Sequence, residues 1–320
     1  MAHKETKIYI LVNPGSRSGN RSKILKQMEM IFAGEGYSPV ILESSGKGGM
    51  EELARRITDG ENETVLIIAG GDGSVNEVLN GVCNLDRVIL GVVPAGSSND
   101  FCRDIGASDP LAAAVRIARN LKEGERIVRD IGLVRYRDLS DGKMKERRFN
   151  VSAGIGFDAE VCVQADRSRA KKLLNVLGLG KLAYITAAVR MILTSRGGHF
   201  RITIGGKQPQ KLHVRNTLFA ACMNHRYEGG GFMFCPDARA DDGRLDICIP
   251  SGITRLSFFR LFPLAYTGRH AGHKNVILHQ ADQFVIEART PQYFHTDGEA
   301  FAKTTRLEAE ILPGAVRFLL

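Results

Sequence analysis

Over roughly the first 130 residues, short unbroken apolar runs alternate with stretches whose apolar positions recur every three or four residues. The runs at 8–12, 39–42, 64–68 and 88–93 lack polar alternation, the pattern of strands buried on both faces of a parallel sheet. Between them, Ile24, Leu25, Met28, Ile31 and Phe32 mark one helix, closed by Gly34 and Gly36. Residues 50–57 mark a second that ends near Gly60, and Val75, Val78, Leu79 and Val82 give the inner face of a third. Asp109 and Pro110 open a fourth that runs to Leu121 and stops at Gly124. This βα alternation predicts an N-terminal doubly wound α/β domain.

From about residue 131 the texture changes. Short β-type runs recur at 200–204, 217–222, 245–249, 284–288 and 307–311, separated by Gly, Asp and Pro turns, with helices expected at 169–194 and 254–267. The prediction is a second, mostly antiparallel β-sandwich domain. No repeat or low-complexity tract is present, and no apolar run reaches the length of a membrane span; the nearest, 173–193, carries Lys181 and Arg190. Residues 1–7 lead straight into a strand and do not read as a signal peptide.

The polar residues concentrate where strands end. After the third strand comes Gly70-Gly71-Asp72-Gly73-Ser74-Val75-Asn76-Glu77. Glycines at a strand-to-helix turn admit positive φ and let a phosphate approach the backbone, and the following helix offers unpaired N–H groups to it. Ser74 with Glu77 fits a capping box. Asp72 would repel a phosphate directly, so it makes sense with a divalent cation or water between them. The fourth strand leads into Pro94-Ala95-Gly96-Ser97-Ser98-Asn99-Asp100-Phe101, where Ser97 or Ser98 can cap a helix carrying Asp100 in its first turn. The first strand leads into Asn13-Pro14-Gly15-Ser16-Arg17. Loops at strand carboxyl ends converge on one crevice in an open α/β sheet. Neither the P-loop nor the G-x-G-x-x-G fingerprint occurs.

These motifs resemble the catalytic domain of the diacylglycerol-kinase family of lipid kinases, which includes bacterial soluble diacylglycerol kinases and their sphingosine- and ceramide-kinase relatives. Gly70-Gly71-Asp72-Gly73 alone is shared with NAD kinases and phosphofructokinases, whereas Gly96-Ser97-Ser98-Asn99-Asp100-Phe101 is far more specific. Gly154-Ile155-Gly156-Phe157-Asp158-Ala159, Asp241-Asp242-Gly243-Arg244-Leu245-Asp246 and Asp297-Gly298-Glu299 follow in the family's order. Ser74 and Ser97 stand where the family usually has Thr, and His295-Thr296 where an apolar residue is commoner.

The resemblance implies ATP bound by Asn13, Pro14, Gly15, Ser16, Arg17, Ser44, the loop Gly71, Asp72, Gly73, Ser74, Val75, Asn76 and Glu77, and Ser97. It implies Mg2+ as cofactor, and the acidic set Asp72, Asp100 and Asp130 is the candidate for the catalytic ion. A structural cation is implied at Asp242, assisted by the carbonyls of Arg239 and Arg244. Asp297 or Glu299 would be the general base, with Asp72 in the catalytic set; spacing does not choose between Asp297 and Glu299. The expected division is an ATP-binding catalytic domain at 1–133, with a tail at about 306–320 packing back on it, and a lipid-substrate domain at 134–320. Gly229-Gly230-Gly231-Phe232, followed by Pro236, resembles the family's substrate-side loop.

Each feature has a plainer reading beside it. Asp-Gly-Glu is also an ordinary hairpin turn, Asp100 can serve a helix dipole, and Arg17 and Arg21 can be surface arginines as readily as phosphate ligands. Composition narrows the field. With 43% apolar and 25% charged residues the chain is globular, and its net charge of +9 favours anionic partners. No nucleic-acid-binding motif accompanies that charge, so an anionic membrane surface is its sensible use and nucleic acid is not expected. Basic and apolar residues at Lys171, Lys172, Leu173, Leu174, Val176 and Leu177 suit either membrane contact or packing. Six cysteines without metal spacing read as free thiols of a cytosolic protein working at the inner membrane face. The rival readings are an NAD kinase-like enzyme, a nucleotide-binding regulator without catalysis, and a nucleic-acid binder resting on charge alone; a homodimer is left open.

Overall fold

The computed structural model describes residues 7–14, 21–167 and 197–320. Gly15, Ser16 and Arg17 of the expected ATP set, and the expected helix at 169–194 with its basic and apolar residues, lie outside the described residues. The chain divides into two compact units, Met1–Ile131 with Pro313–Leu320, and Gly132–Leu312.

The first unit runs β1 (Lys7–Val12), α1 (Arg21–Gly34), β2 (Val40–Glu43), α2 (Gly49–Thr58), β3 (Thr64–Gly70), α3 (Asp72–Gly81), β4 (Val88–Pro94), α4 (Asp100–Asp104), α5 (Pro110–Glu123) and the start of β5 (Ile127–Arg137). The strands lie in the order β2-β1-β3-β4, all parallel, and every residue of β3 and β4 is buried. Arg317, Phe318 and Leu319 add a parallel strand beside Ile89, Leu90 and Gly91. Ile10, Ile67 and Ile89 pack with Met28 and Phe32 of α1 and Ala114 and Ile117 of α5. Burying each large side chain of this set contributes about 1.5–3 kcal/mol. Asp109 caps α5 through the Ala112 N–H at 2.7 Å, and Gly124 ends it with φ 76°.

The second unit continues with β6 (Met144–Phe149), β7 (Ser152–Gly156), α6 (Phe157–Arg167), β8 (Gly198–Ile204), β9 (Gln210–Thr217), β10 (Phe219–Met223), β11 (Tyr227–Glu228) and β12 (Phe232–Met233). Then come β13 (Leu245–Pro250), α7 (Arg255–Ala265), β14 (Val276–Ala281), β15 (Gln283–Thr296) and β16 (Glu299–Leu319), whose last residues belong to the first unit. Its pairing is antiparallel throughout, in the order β14-β13-β10-β7-β15, with β8 also on β15, β9 on β8 and β6 on β5. One core gathers Phe149, Ile202, Ile247, Phe284, Phe294 and Leu307, and a second beside α7 gathers Phe219, Cys248, Phe258 and Leu261. The run expected as one strand at 217–222 is broken at Leu218, between the end of β9 at Thr217 and the start of β10 at Phe219, next to a left-handed residue within β9, Asn216 (φ 51°).

Gly81 reverses an ordinary helix rule. Alanine in place of a helical glycine usually stabilises by about 0.5–1 kcal/mol. A Cβ here would sit 2.1 Å from the Glu51 carbonyl oxygen on α2. Gly81→Ala is therefore expected to destabilise by about 1–3 kcal/mol in denaturant titration; a gain in stability would show that α2 and α3 are not packed this closely.

Candidate active site

α3 begins at Asp72 with Gly71 as its N-cap, so Ser74 lies inside the first turn and the expected capping box does not form. Ser74 Oγ instead accepts from Asn13 Nδ2 at 3.2 Å, tying the loop after β1 to the loop after β3. The Glu77 carboxylate reaches a neighbouring helix, accepting the N–H groups of Gly48 (2.9 Å) and Met50 (3.1 Å). Gly48 has no side chain with which to cap α2, and a carboxylate at that N-terminus also meets the positive end of the helix dipole.

The loops after β3 and β4 touch backbone to backbone. A Cβ on Gly71 would lie 2.9 Å from Gly96 Cα, and one on Gly96 would lie 2.5 Å from Gly71 Cα. The Ala95 N–H donates to the Gly70 carbonyl at 2.9 Å. Asn99, rather than Ser97 or Ser98, is the N-cap of α4, in a left-handed conformation (φ 52°). Its side-chain amide closes the loop, with Oδ1 accepting from Gly96 N–H at 2.9 Å and Nδ2 donating to the Gly96 carbonyl at 3.0 Å. The N–H groups of Asp100 and Phe101 at the start of α4 donate to the Asp72 carboxylate at 2.9 and 3.1 Å. Asp72 therefore joins the two glycine loops. Asp100 is buried, with Oδ1 3.6 Å from Arg103 Nε. Cys102 is an inert thiol, pushed up to about 12 by burial and then by Asp72.

Asp130 does not join this pair. Its Oδ1 accepts the Gly314 N–H at 2.7 Å, just before the segment in which Arg317 pairs with Ile89 at the start of β4. Asp72 lies beyond the other end, where Gly70 pairs with Pro94. The stretch from Ile89 to Pro94 alone spans about 16 Å at ~3.3 Å per residue, so Asp72, Asp100 and Asp130 are not one ligand set. Of the other expected ATP residues, Asn13, Pro14, Gly71 and Gly73 are half-buried and Ser97 is exposed. Val75 and Asn76 are buried, so only their backbone can meet a ligand. Ser44 follows β2 with its N–H on the Val12 carbonyl (3.0 Å), and its buried Oγ has no hydrogen-bond partner among the described residues.

In the second unit, Asp297 and Gly298 form the two-residue turn between β15 and β16, with Thr296 paired to Glu299. Both turn residues have positive φ, 49° and 79°, as a type I′ turn requires. The buried Asp297 carboxylate accepts the N–H groups of Asn150 (3.0 Å), Val151 (2.7 Å) and Ser152 (3.1 Å). Asp297 is thereby committed to holding that backbone, and Glu299 is the half-buried carboxylate just past the turn. Asp242 is exposed in the turn before β13; it accepts from the Arg244 N–H at 3.0 Å and from Gln280 Nε2 at 2.9 Å. Arg239 pairs with Asp241 at 3.1 Å. Burial, with Asp242 and Asp237 nearby, pushes Asp246 up to about 6.

A group that the sequence reading did not assemble lies beside the Asp297 turn. His295 is fully buried, and its Nε2 is 3.2 Å from both Asp158 Oδ2 and Glu228 Oε1. The three ligand atoms lie within 4.8 Å of one another, a spacing at which a divalent cation could replace the ring proton. Gly154 makes the approach possible, since a Cβ there would lie 2.0 Å from Asp158 Oδ2 and 2.4 Å from His295 Nε2. Burial opposes a charged ring, but Glu228 and Asp158 outweigh it and raise His295 to about 9. On the other ring nitrogen, the Gly298 N–H meets Nδ1 at 3.3 Å. That contact makes Nδ1 an acceptor and opposes a second ring proton, while the two carboxylates at Nε2 favour it. The only signal in the sequence was a histidine where the family usually has an apolar residue.

The stabilisation carried by charged His295 is complete below about pH 6.5, where the unfolded residue is charged too. It is lost as pH rises through the folded value of about 9. Denaturant titrations are expected to show that loss in the parent protein and not in His295→Leu. At neutral pH, His295→Leu leaves Asp158 and Glu228 facing one another and should cost about 3–5 kcal/mol, part of it recovered by adding Glu228→Gln. Identical pH profiles would show that the ring is not charged.

Residues 7–131 match the Diacylglycerol kinase catalytic domain, and residues 150–320 match the YegS C-terminal NAD kinase beta sandwich-like domain. A diacylglycerol kinase of Mycobacterium tuberculosis is 28% identical over 320 residues, covering 99% of this chain and 96% of that protein. The diacylglycerol kinase of Bacillus subtilis is 28% identical, covering 91% of this chain and 88% of its own length. A crystal structure of a diacylglycerol kinase from Bacillus anthracis superposes with a TM-score of 0.66 at 19% identity, covering 98% of this chain and 96% of that one. Yeast NADH kinase shares the fold more distantly, with a TM-score of 0.52 at 8% identity, covering 98% of this chain and 83% of that one. Both halves of the chain match, in order and over nearly all its length, so it belongs to the diacylglycerol kinase family and is by class a lipid kinase.

Proposed function

We propose that this enzyme transfers the γ-phosphate of ATP to a hydroxyl of diacylglycerol or a closely related lipid, in a Mg2+-dependent reaction. The observation that carries the reading is the pair of crossing glycine loops locked by Asp72. Backbone without Cβ atoms, at the carboxyl ends of parallel strands, is suited to phosphate oxygens. Asn13, Ser44, Ser74 and Ser97 surround it with neutral donors. The fold shared with NADH kinase leaves the acceptor open, and the family points to a lipid.

Asp72 and Asp100 stand together and offer only carboxylate oxygens, a donor set that suits Mg2+ held largely through water. Such an ion would neutralise charge on the phosphates. The exposed Asp242, in a turn with Gly243 at φ 70°, likewise fits a hard structural cation, assisted by the carbonyls of Arg239 and Arg244. Asp130 serves the fold by holding Gly314.

Glu299 takes the proton of the acceptor hydroxyl. A proton on Asp297 would displace donors from a carboxylate that already accepts three N–H groups. Asp297 acts as a positioning residue: it sets the turn from which Glu299 emerges.

The test is transfer of label from radiolabelled ATP into lipids presented singly in mixed micelles, with Mg2+. Label is expected in diacylglycerol or a near relative. Glu299→Gln should lower kcat by about 10²–10⁴-fold while the protein still folds. Asp297→Asn should lower both activity and stability, because it weakens charged hydrogen bonds worth about 1.5–3 kcal/mol each. Full activity in Glu299→Gln would rule out Glu299 as the base, and no label in any lipid would sink the lipid-kinase reading.

A further inference from the structure

The helix α7 carries a face that is partly exposed among the described residues. Phe258, Leu261 and Ala265 are buried, and the first two belong to the core with Phe157, Phe219 and Cys248. Phe259, Pro263 and Tyr266 recur at i, i+4 and i+7 and form a stripe on the exposed side. Phe259 and Tyr266 are each 43% exposed, and they are the exposed aromatic residues among the described residues. A helix in water normally turns its aromatics inward, so two on one outward stripe mark a surface that something covers.

Charge says what that something is. Residues 247–281 contain no Asp or Glu, while Arg255, Arg260, Arg269 and Lys274 lie among them. Arg260, Arg269 and Lys274 are exposed on and just after the helix. Aromatic side chains flanked by arginine and lysine, in a stretch of sequence without Asp or Glu, suit the headgroup boundary of an anionic bilayer, where the rings enter the interface and the cations meet lipid phosphates.

The stripe also leads toward the lipid-handling side of this unit. The Tyr266 ring lies 4.1 Å from that of Phe232, centroid to centroid. Phe232 directly follows Gly229, Gly230 and Gly231, all of which have positive φ. Glu228, on the other side of those glycines, belongs to the His295 cluster beside the Asp297 turn. We propose that the Phe259–Pro263–Tyr266 face of α7, with Arg260, Arg269 and Lys274, docks the enzyme on the surface of an anionic phospholipid bilayer. The proposal rests on the lipid-kinase reading for its purpose and not for its test.

The chain has no tryptophan, so Phe259→Trp introduces a single indole reporter. With vesicles of phosphatidylglycerol and phosphatidylcholine, without diacylglycerol or ATP, its emission should shift to the blue and be quenched by brominated acyl chains. Vesicles of phosphatidylcholine alone, or added salt, should weaken the effect, because headgroup attraction is screened. Phe259→Ser with Tyr266→Ser should lower vesicle co-sedimentation by about tenfold or more. Phe259→Ser alone should keep full activity on a short-chain diacylglycerol dissolved in detergent micelles. No blue shift, or undiminished sedimentation of the double variant, would overturn the docking face. So would a parent dimer, seen by light scattering, that the double variant dissolves. Docking without phosphorylation of any lipid would instead count against the lipid-kinase reading alone.

Discussion

The carboxylate of Asp72 is the constraint on which the paired glycine loops of the first unit depend. Its two oxygens accept the N–H groups of Asp100 and Phe101, so one short side chain from the start of α3 determines where α4 begins. That bond brings the loop after β4 against the loop after β3 until Gly96 and Gly71 touch, a distance at which no side chain fits on either residue. Asn99 can then adopt its left-handed turn, with its amide bridging both backbone groups of Gly96. An isolated glycine-rich loop would fluctuate, at an entropic cost of about 1–2 kcal/mol for each residue ordered on binding. Here much of that cost is met on folding, because the loop is already tied by charged hydrogen bonds.

The second unit uses the same device at a different turn. Asp297 holds three consecutive N–H groups of the 150–152 segment, and the type I′ geometry that admits Asp-Gly sends the chain back with Glu299 at its first position. His295, next but one to Asp297, is gripped by carboxylates from α6 and from β11. The turn is thus braced through Asp297 on one side and His295 on the other. Desolvating these charges is expensive unless each meets a partner, so the network tolerates little rearrangement. In both units a carboxylate is engaged with backbone, and in the second the group proposed to take the proton is Glu299, just past the turn from Asp297.

Much of this was legible along the chain, and the gaps have physical causes. Strands β3 and β4 were readable because both faces are buried and no alternation interrupts them. Strand β6, Met-Lys-Glu-Arg-Arg-Phe, gave no such signal: it is mostly polar and only Phe149 is buried, and it exists through its ladder with β5. The sequence Ser74-x-x-Glu77 satisfied a local rule, yet Glu77 found a better use at the uncapped start of α2, 27 residues away in sequence from Met50. Asp130 carried the right chemistry for a metal ligand but lies on β5 at the far end of the parallel sheet. The choice between Asp297 and Glu299 could not be made from spacing, since it turns on three donors contributed by residues 150–152.

By itself the sequence determined the class of each half, the positions of the glycine loops, the Asp-Gly turn and the membership of a lipid-kinase family. These follow from local rules: hydrophobic period, backbone freedom at glycine, and the order of short motifs. Only the tertiary structure decided which carboxylates are bound to backbone, which face of α7 is left outward, and that Asp158, Glu228 and His295 converge on one point. Those outcomes depend on which distant groups meet across strands and loops. A side chain's partners, unlike its propensity, are set by long-range packing and by the high cost of leaving a buried charge or N–H group unpaired.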